Sequence, residues 1–256
     1  MASDSRTSRP PRTSVWLEDR PAPRRRAAGR GTEQEPHGLD RERITEAAVR
    51  LLDAEGLAKF SMRRLAAELG VTAMSVYWYV DSKDDLLELA LDSVMGEIAL
   101  PDAADEDTSW QDQLRQLAGA YRSVFNHHPW LSQMMGTYIN VGPRSMEFAE
   151  AAQRVMLRAG LPGPLLSGAL SALFQFVFGF ATVETNWNSR REEAGLTSDE
   201  FFSAVHAKVR TRPEYEDSLQ LMAERGGDTV EEMRDRDFAT ALDCVIAGIE
   251  AMRPRP

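Results

Sequence analysis

From Leu39 onward apolar residues recur at intervals of three and four, the period of a helix with one buried face. Leu39 and the N-cap residue Asp40 open the first such run, in which Ile44, Ala48, Leu51 and Leu52 share a face until Gly56 stops it. Ser61 caps a second, short helix with Met62, Leu65, Ala66 and Leu69 inward and Gly70 at its end. A third begins near Ala73 and turns Ala73, Val76 and Val80 inward. Ser82-Lys83-Asp84-Asp85 has the Ser-x-x-Asp form of a capping box and starts a fourth through Leu86, Leu87, Ala90 and Val94 toward Pro101.

An acidic linker, Asp102 to Asp107, separates these from longer stripes. Leu114, Leu117, Tyr121, Val124 and Phe125 form one; Trp130, Leu131, Met134, Met135 and Tyr138 a second; Phe148, Ala152, Val155, Met156 and Ala159 a third, closed by Gly160-Leu161-Pro162-Gly163-Pro164. Leu165 to Val183 carries no charge and is about long enough for a bilayer. Ser167, Gly168, Ser171, Gln175, Gly179 and Thr182 interrupt it, so the pattern predicts a helix buried between protein surfaces and no membrane span. A charged, mobile stretch is expected from Asn188 to Ser198, weaker helices to about Arg225, and a last helix bearing Phe238, Leu242, Val245 and Ile249. Nothing alternates as a strand does, and no repeat of fixed period occurs. The expected fold is all-α: an N-terminal three-helix helix-turn-helix domain at 39–98, then a larger helical bundle at 99–256.

Composition narrows the function classes. The chain has 256 residues, 43% of them hydrophobic, enough for a substantial core. Its net charge of −10 argues against coating nucleic acid with its whole surface, but the charge is uneven. Met1 to Gly38 holds eight arginines against five carboxylates, and Gly56 to Val80 holds Lys59, Arg63 and Arg64 against Glu68 alone. Rich in Pro, Arg, Ser and Gly, residues 1–38 are expected to be a disordered basic arm. Within it Ser14-Val15-Trp16-Leu17 either docks on the body or is exposed; Arg24-Arg25-Arg26 and Arg30 either enter a minor groove or solubilise the tail. A lone cysteine, Cys244, excludes a disulfide framework and a zinc ligand set, and with no secretory pattern at the start a cytoplasmic setting is expected. Nucleophile elbow, phosphate-cradling glycine loop and metal-spaced His/Cys sets are missing from the sequence, so neither catalysis, a metal nor a cofactor is expected.

Two short helices around a glycine-containing turn have the spacing of a DNA-reading helix-turn-helix, a spacing shared with ordinary helical corners. The residues are more specific. Ser61-Met62-Arg63-Arg64-Leu65-Ala66-Ala67-Glu68-Leu69-Gly70-Val71, followed by Ser75-Val76-Tyr77-Trp78-Tyr79-Val80 and then Ser82, Lys83, Leu86 and Leu87, closely resembles the DNA-binding region of the TetR family, without a gap from Leu39 to about Glu97. Tyr77-Trp78-Tyr79-Val80 looks like the tetracycline-repressor branch. The resemblance implies a transcription regulator that binds double-stranded operator DNA, and it places Tyr77, Tyr79 and Lys83 on the phosphate backbone. Chemistry agrees for Ser61, whose hydroxyl and neighbouring free N–H groups suit a phosphate. Base edges fall to Arg63, which forks onto guanine, and to Thr72, Ala73, Met74 and Ser75, whose methyl and hydroxyl groups suit thymine methyls and mixed acceptors. Arg64 is either a phosphate contact or solvent-facing, and Trp78 is expected in the core.

One helix-turn-helix touches few phosphates, so a homodimer reading a near-palindrome is expected. Ser167, Ser171, Gln175 and Gly179 recur every fourth residue and let two helices approach closely; Phe238, Leu242, Val245 and Ile249 supply a second helix to a four-helix bundle, which the TetR resemblance also implies. The remaining aromatics and methionines, Phe125, Trp130, Met134, Met135, Tyr138, Phe174 and Phe178, form a candidate pocket with Gln175, Glu184, Asn186 and Trp187 as polar anchors, favouring a hydrophobic or aromatic effector. The tetracycline-repressor branch holds magnesium and drug partly through a histidine near the end of helix four; ungapped alignment puts Ile98 or Ala99 there, a departure that argues against a magnesium-tetracycline effector. In TetR proteins effectors change the spacing of the two reading helices, which makes helix four the lever.

Overall fold

The computed structural model describes residues 14–17, 39–102, 105–217, 219–220 and 229–254. Among these the chain is helical with no strand, and it gathers into two compact units. The first takes the chain up to Glu97 together with Gln133–Phe148; the second takes Ile98–Ser132 and the chain from Ala149.

In the first unit α1 spans Arg41–Glu55, its N-terminus closed by Asp40, which accepts from the Arg43 N–H at 2.8 Å. Gly56 ends it with a φ of +76°, a conformation that side-chain-bearing residues resist. The short helices α2, Met62–Glu68, and α3, Ala73–Tyr77, follow, with Gly70 at φ +67° in the turn between them. α4, Lys83–Met95, starts at the Ser82 cap and is buried on nearly every side, the carboxylates of Glu88 and Asp92 included. Those carboxylates are matched by donors. Glu88 accepts from the Ser14 hydroxyl at 2.5 Å and the Val15 N–H at 2.9 Å, and Asp92 accepts from the Ser145 N–H and hydroxyl, both at 2.9 Å. Ser14-Val15 therefore docks on α4, with Trp16 half-buried and Leu17 exposed; residues 1–13 and 18–38 of the expected arm, with Arg24-Arg25-Arg26 and Arg30, lie outside the described residues. Gly142 is required beside Asp92, since a Cβ there would collide with the carboxylate.

The second unit is built on α5, Trp110–His127, and α8, Gly163–Ala194, with the part of α7, Pro143–Arg158, that follows Phe148, and with α9, Ser198–Val209, and α10, Val230–Ala251. Tyr121 and Phe125 of α5 meet Phe174 and Phe178 of α8 at ring centroids 6.0 and 5.9 Å apart. Arg158, at the end of α7, ties α5 down by donating to the Gln113 side chain at 2.6 Å and the Thr108 carbonyl at 2.9 Å.

Two expectations are corrected. The stripe from Trp130 to Tyr138 is not one helix: a single turn, α6, Leu131–Met134, is cut off by Gly136 at φ +82°, and Met135 pairs with Tyr138 as an isolated bridge. The stretch from Asn188 is not a mobile loop. α8 continues through it to Ala194 and stops at Gly195 in the left-handed conformation, because Asn188-Ser189-Arg190-Arg191-Glu192-Glu193-Ala194 contains no helix breaker. By length and composition α8 would cross a bilayer, and only 28% of its apolar window is buried within this chain.

Candidate nucleic-acid interface and effector cavity

The helix-turn-helix surface is assembled by caps. Ser61 accepts from the Arg64 N–H at 3.3 Å and opens α2; Thr72 accepts from the Ser75 N–H at 3.2 Å and opens α3, with the two hydroxyls 2.9 Å apart. Val76 and Val80 anchor α3 inward with no exposed surface, which leaves Met74 at 69% exposure and Tyr77 at 41% on the outside. Tyr79 is exposed beside Tyr77, and Arg63 projects from α2 into solvent; Ala73 is half-buried at the start of α3. Arg64, left open between two roles, is ion-paired with Glu55. Lys83 donates to the Phe60 carbonyl at 3.0 Å and lies over that residue's ring, 5.5 Å from its centroid. This contact gives a structural reason for a cation at the first turn of α4, where the helix dipole disfavours it.

Trp78 is a further correction. Expected in the core, it is 67% exposed. It lies two residues from both Val76 and Val80, roughly half a helical turn away from the buried side, so the inward placement of those valines turns it out. An indole, a thioether and two phenols are thus exposed on α3 and the turn that follows it.

In the second unit Phe174, Phe176, Phe178 and Phe180 alternate along α8, which on a helix splits them between two faces. Phe174 and Phe178 pack on α5. Phe176 and Phe180 turn toward α10, where the Phe238 ring stacks on Phe176 at 5.4 Å and meets Phe180 edge-on at 5.2 Å. Beyond Phe238 a cavity of about 520 Å³ opens between α8, α9 and α10. Its apolar wall comes from Phe176, Phe180 and Trp187 on one side and Phe202, Val205 and Val209 on another, with Val230 and Met233 completing α10's contribution. The polar groups are Glu184, His206, Arg234 and Asp237.

Glu184 is only 6% exposed and accepts two bonds from Arg122, at 2.8 and 2.5 Å; Arg122 also donates to Asp235 at 2.8 Å and sits over the Phe180 and Phe238 rings. Burial by itself lowers the Arg122 pKa, but hydrogen bonds and charge from Glu184 and Asp235 outweigh it and raise the value above that of a free guanidinium. Arg234 stands differently. It donates to Asn188 Oδ1 at 3.0 Å and lies 5.8 Å from the Trp187 ring centroid, and burial pulls its pKa below the ordinary value, opposed by Glu184.

Of the pocket expected from sequence, the cavity uses Glu184 and Trp187. Phe125, Trp130 and Met134 have at most 1% exposure and serve as core. Met135 and Tyr138 belong to the first unit, where the Tyr138 hydroxyl donates to Asp84 at 3.0 Å; burial first, and the Asp84 bond second, push its pKa up to about 12. Gln175 and Asn186 point outward with Ser167, Ser171 and Gly179, although Gly179 also borders the cavity. The expected dimer stripe on the last helix is corrected too. Phe238, Leu242 and Ile249 are buried against their own chain and Val245 is half-covered, so the outward side of α10 carries Cys244 and Gly248 instead. Arg122, Phe176, Phe180, Phe202, Val205, His206 and Arg234 were missed, and the even spacing of the four phenylalanines was the one signal that α8 has two aromatic faces.

An exposed reading surface on a capped helix-turn-helix, joined in one chain to a helical unit with an aromatic cavity, defines a DNA-binding regulator with a ligand-binding half. Residues 44–90 match the pattern of bacterial regulatory proteins of the tetR family, and residues 100–253 match the tetracyclin repressor-like C-terminal domain. The chain belongs to the TetR family of transcriptional regulators. It is 36% identical over 160 residues to an HTH-type transcriptional regulator of Saccharopolyspora erythraea, spanning 62% of this chain and 66%, just under two thirds, of that one. It is 34% identical over 217 residues to the HTH-type transcriptional repressor DrrR1 of Streptomyces coeruleorubidus, covering 84% of this chain and 78% of DrrR1. Among solved structures, ActR of Streptomyces coelicolor in complex with actinorhodin superposes with a TM-score of 0.69 at 29% identity, over 85% of this chain and 99% of ActR.

Proposed function

We propose that the protein is a cytoplasmic homodimeric repressor that leaves a near-palindromic operator when a hydrophobic or aromatic small molecule enters the α8–α9–α10 cavity. In this reading residues 39–98 hold DNA and residues 99–256 hold effector and partner. The observation that carries it is the presence in one chain of an exposed α3 surface and a cavity whose 520 Å³ suits a drug-sized aromatic molecule. The repressor DrrR1 and the actinorhodin complex of ActR support the two halves of the reading.

Ser61, Tyr77 and Tyr79 contact phosphates and set register, while Arg63 with Thr72, Ala73, Met74 and Ser75 reads base edges. Lys83 retains two ammonium protons beyond its bond to Phe60 and joins the phosphate contacts. Arg64 stays with Glu55. The outward row Ser167, Ser171, Gln175 and Gly179 on the half-naked α8 meets its copy across a two-fold axis.

Selection of bound fragments from random duplex DNA tests the reading. It should return a palindrome whose half-sites lie about one or more helical turns apart, with affinity falling steeply as salt rises. Tyr77→Phe should weaken all sequences alike, and Arg63→Ala should also relax preference at one base pair by roughly 1–3 kcal/mol. Recovery of no enriched sequence, or the same loss of preference in both variants, would sink the assignment.

A further inference from the structure

The helix α8, which forms one wall of the cavity, carries unpartnered polar atoms, and one of them, Trp187 Nε1, belongs to a residue that lines it. Among the described residues, four of the five buried side-chain polar atoms without a hydrogen-bond partner lie on α8 between Thr182 and Arg191: Thr182 Oγ1, Thr185 Oγ1, Trp187 Nε1 and Arg191 Nε. Buried polar groups are almost always paired; of these four residues Trp187 lines the cavity, and its Nε1 is a donor there to which a ligand can bring the acceptor. Arg234 adds to it. Its only protein acceptor is the neutral Asn188 amide, and no carboxylate of the described residues forms an ion pair with it.

The other charges in the wall do not answer it. Glu184 is consumed by the two-pronged bond from Arg122, whose third contact is Asp235. Arg191 is paired with Glu192. Arg122 and Arg191 both repel the Arg234 charge, and Glu184 and Glu231 oppose them. Asp237 borders the cavity already engaged within the protein, and His206 lies stacked on Phe202 at 5.8 Å. The surrounding surface is flat and aromatic: Phe176, Phe180, Trp187 and Phe202.

We propose that this cavity selects a flat aromatic acid, its fused rings held among those four side chains and its carboxylate received by the Arg234 guanidinium. The inference rests on the reading of the cavity as the effector site and narrows it to a class. A carboxylate accepts two parallel N–H bonds from a guanidinium, and it gives a half-buried cation on the cavity wall a partner of opposite charge. A neutral ligand of the same shape leaves that charge as it was. A cationic one adds to the repulsion among Arg122, Arg191 and Arg234.

The test is fluorescence titration of the full-length protein with anthracene-2-carboxylate and with the equally shaped but uncharged anthracene-2-carboxamide. The acid should bind at least tenfold tighter than the amide. Arg234→Gln should bring the two affinities together, and Arg234→Lys should restore part of the preference, which a merely structural role for the guanidinium would not do. Val205→Trp, at an exposed position of the cavity lining, should fill the cavity and abolish both. If the wild-type protein binds acid and amide equally, or binds neither, the proposal is overturned; if Arg234→Gln weakens both by the same factor, Arg234 holds the fold and the proposal is overturned as well. If instead both probes bind and Val205→Trp changes neither affinity, the cavity itself is not the ligand site, and the broader reading fails with it.

Discussion

Arg122 shows how one residue can serve several partners at once. Its guanidinium joins α5 to α8 through Glu184 and to α10 through Asp235 while covering two phenylalanine rings. Arg122→Met would fill similar space but leave the Glu184 carboxylate buried and unpaired, which costs on the order of 3–5 kcal/mol. Urea unfolding should show this loss, and adding Glu184→Leu to the same chain should recover a large part of it. If the double variant is no more stable than the single, the network is not the source of the loss. At this scale the sequence spoke unevenly. Asp40, Ser61 and Ser82 were legible as caps because capping is a local, short-range pattern. Arg122 was not legible, because its two carboxylate partners lie 62 or more positions away and no spacing rule connects them.

At the scale of elements, α4 carries the most information. It is a short helix in which Glu88 and Asp92 are both buried, and each is answered by donors from another part of the chain: Ser14-Val15 at Glu88, Arg144 and Ser145 at Asp92. Ser14→Val keeps the bulk and removes the hydroxyl, leaving Glu88 with the Val15 N–H. A hydrogen bond to a charged acceptor contributes about 1.5–3 kcal/mol, so the midpoint of thermal unfolding should fall by several degrees. Glu88→Gln should fall similarly, and the two changes together should cost less than their sum, since they break the same bond. Strict additivity would mean that the arm segment is not held by Glu88. The helices themselves were readable where an apolar face coincided with a cap and a glycine stop, as in α1 and α2. They were misread where composition suggested a loop. The charged end of α8 is helical because nothing in it breaks a helix, and the stripe at 130–138 is not helical because Gly136 takes a left-handed turn.

For the whole molecule the deciding quantity is the surface left uncovered. Only 28% of the apolar window of α8 is buried within one chain, and the row Ser167, Ser171, Gln175 and Gly179 is exposed and small enough for a second helix to approach. Ser171→Arg should place a charged, bulky side chain in that contact. Light scattering should then show a monomer in place of the proposed dimer, and operator affinity should drop by several hundredfold or more if two half-sites are no longer read together. A dimer unaffected by this change would put the interface elsewhere. Salt dependence gives an independent reading, since each phosphate neutralised adds close to one unit to the slope of log affinity against log salt.

The sequence alone determined the helical class, the helix-turn-helix with its caps and outward phenols, and the family, because these follow from local period and from motifs within about 60 residues. The tertiary structure alone decided which faces look inward. Phe125, Trp130 and Met134 became core, Phe238, Leu242 and Ile249 turned toward their own chain, Trp78 turned out, and the cavity moved to Phe176, Phe180 and Arg234. The reason is physical: an amphipathic pattern states that a helix has a face to bury, but whether that face meets its own chain, a partner or a ligand depends on where distant helices pack, and period carries no information about that.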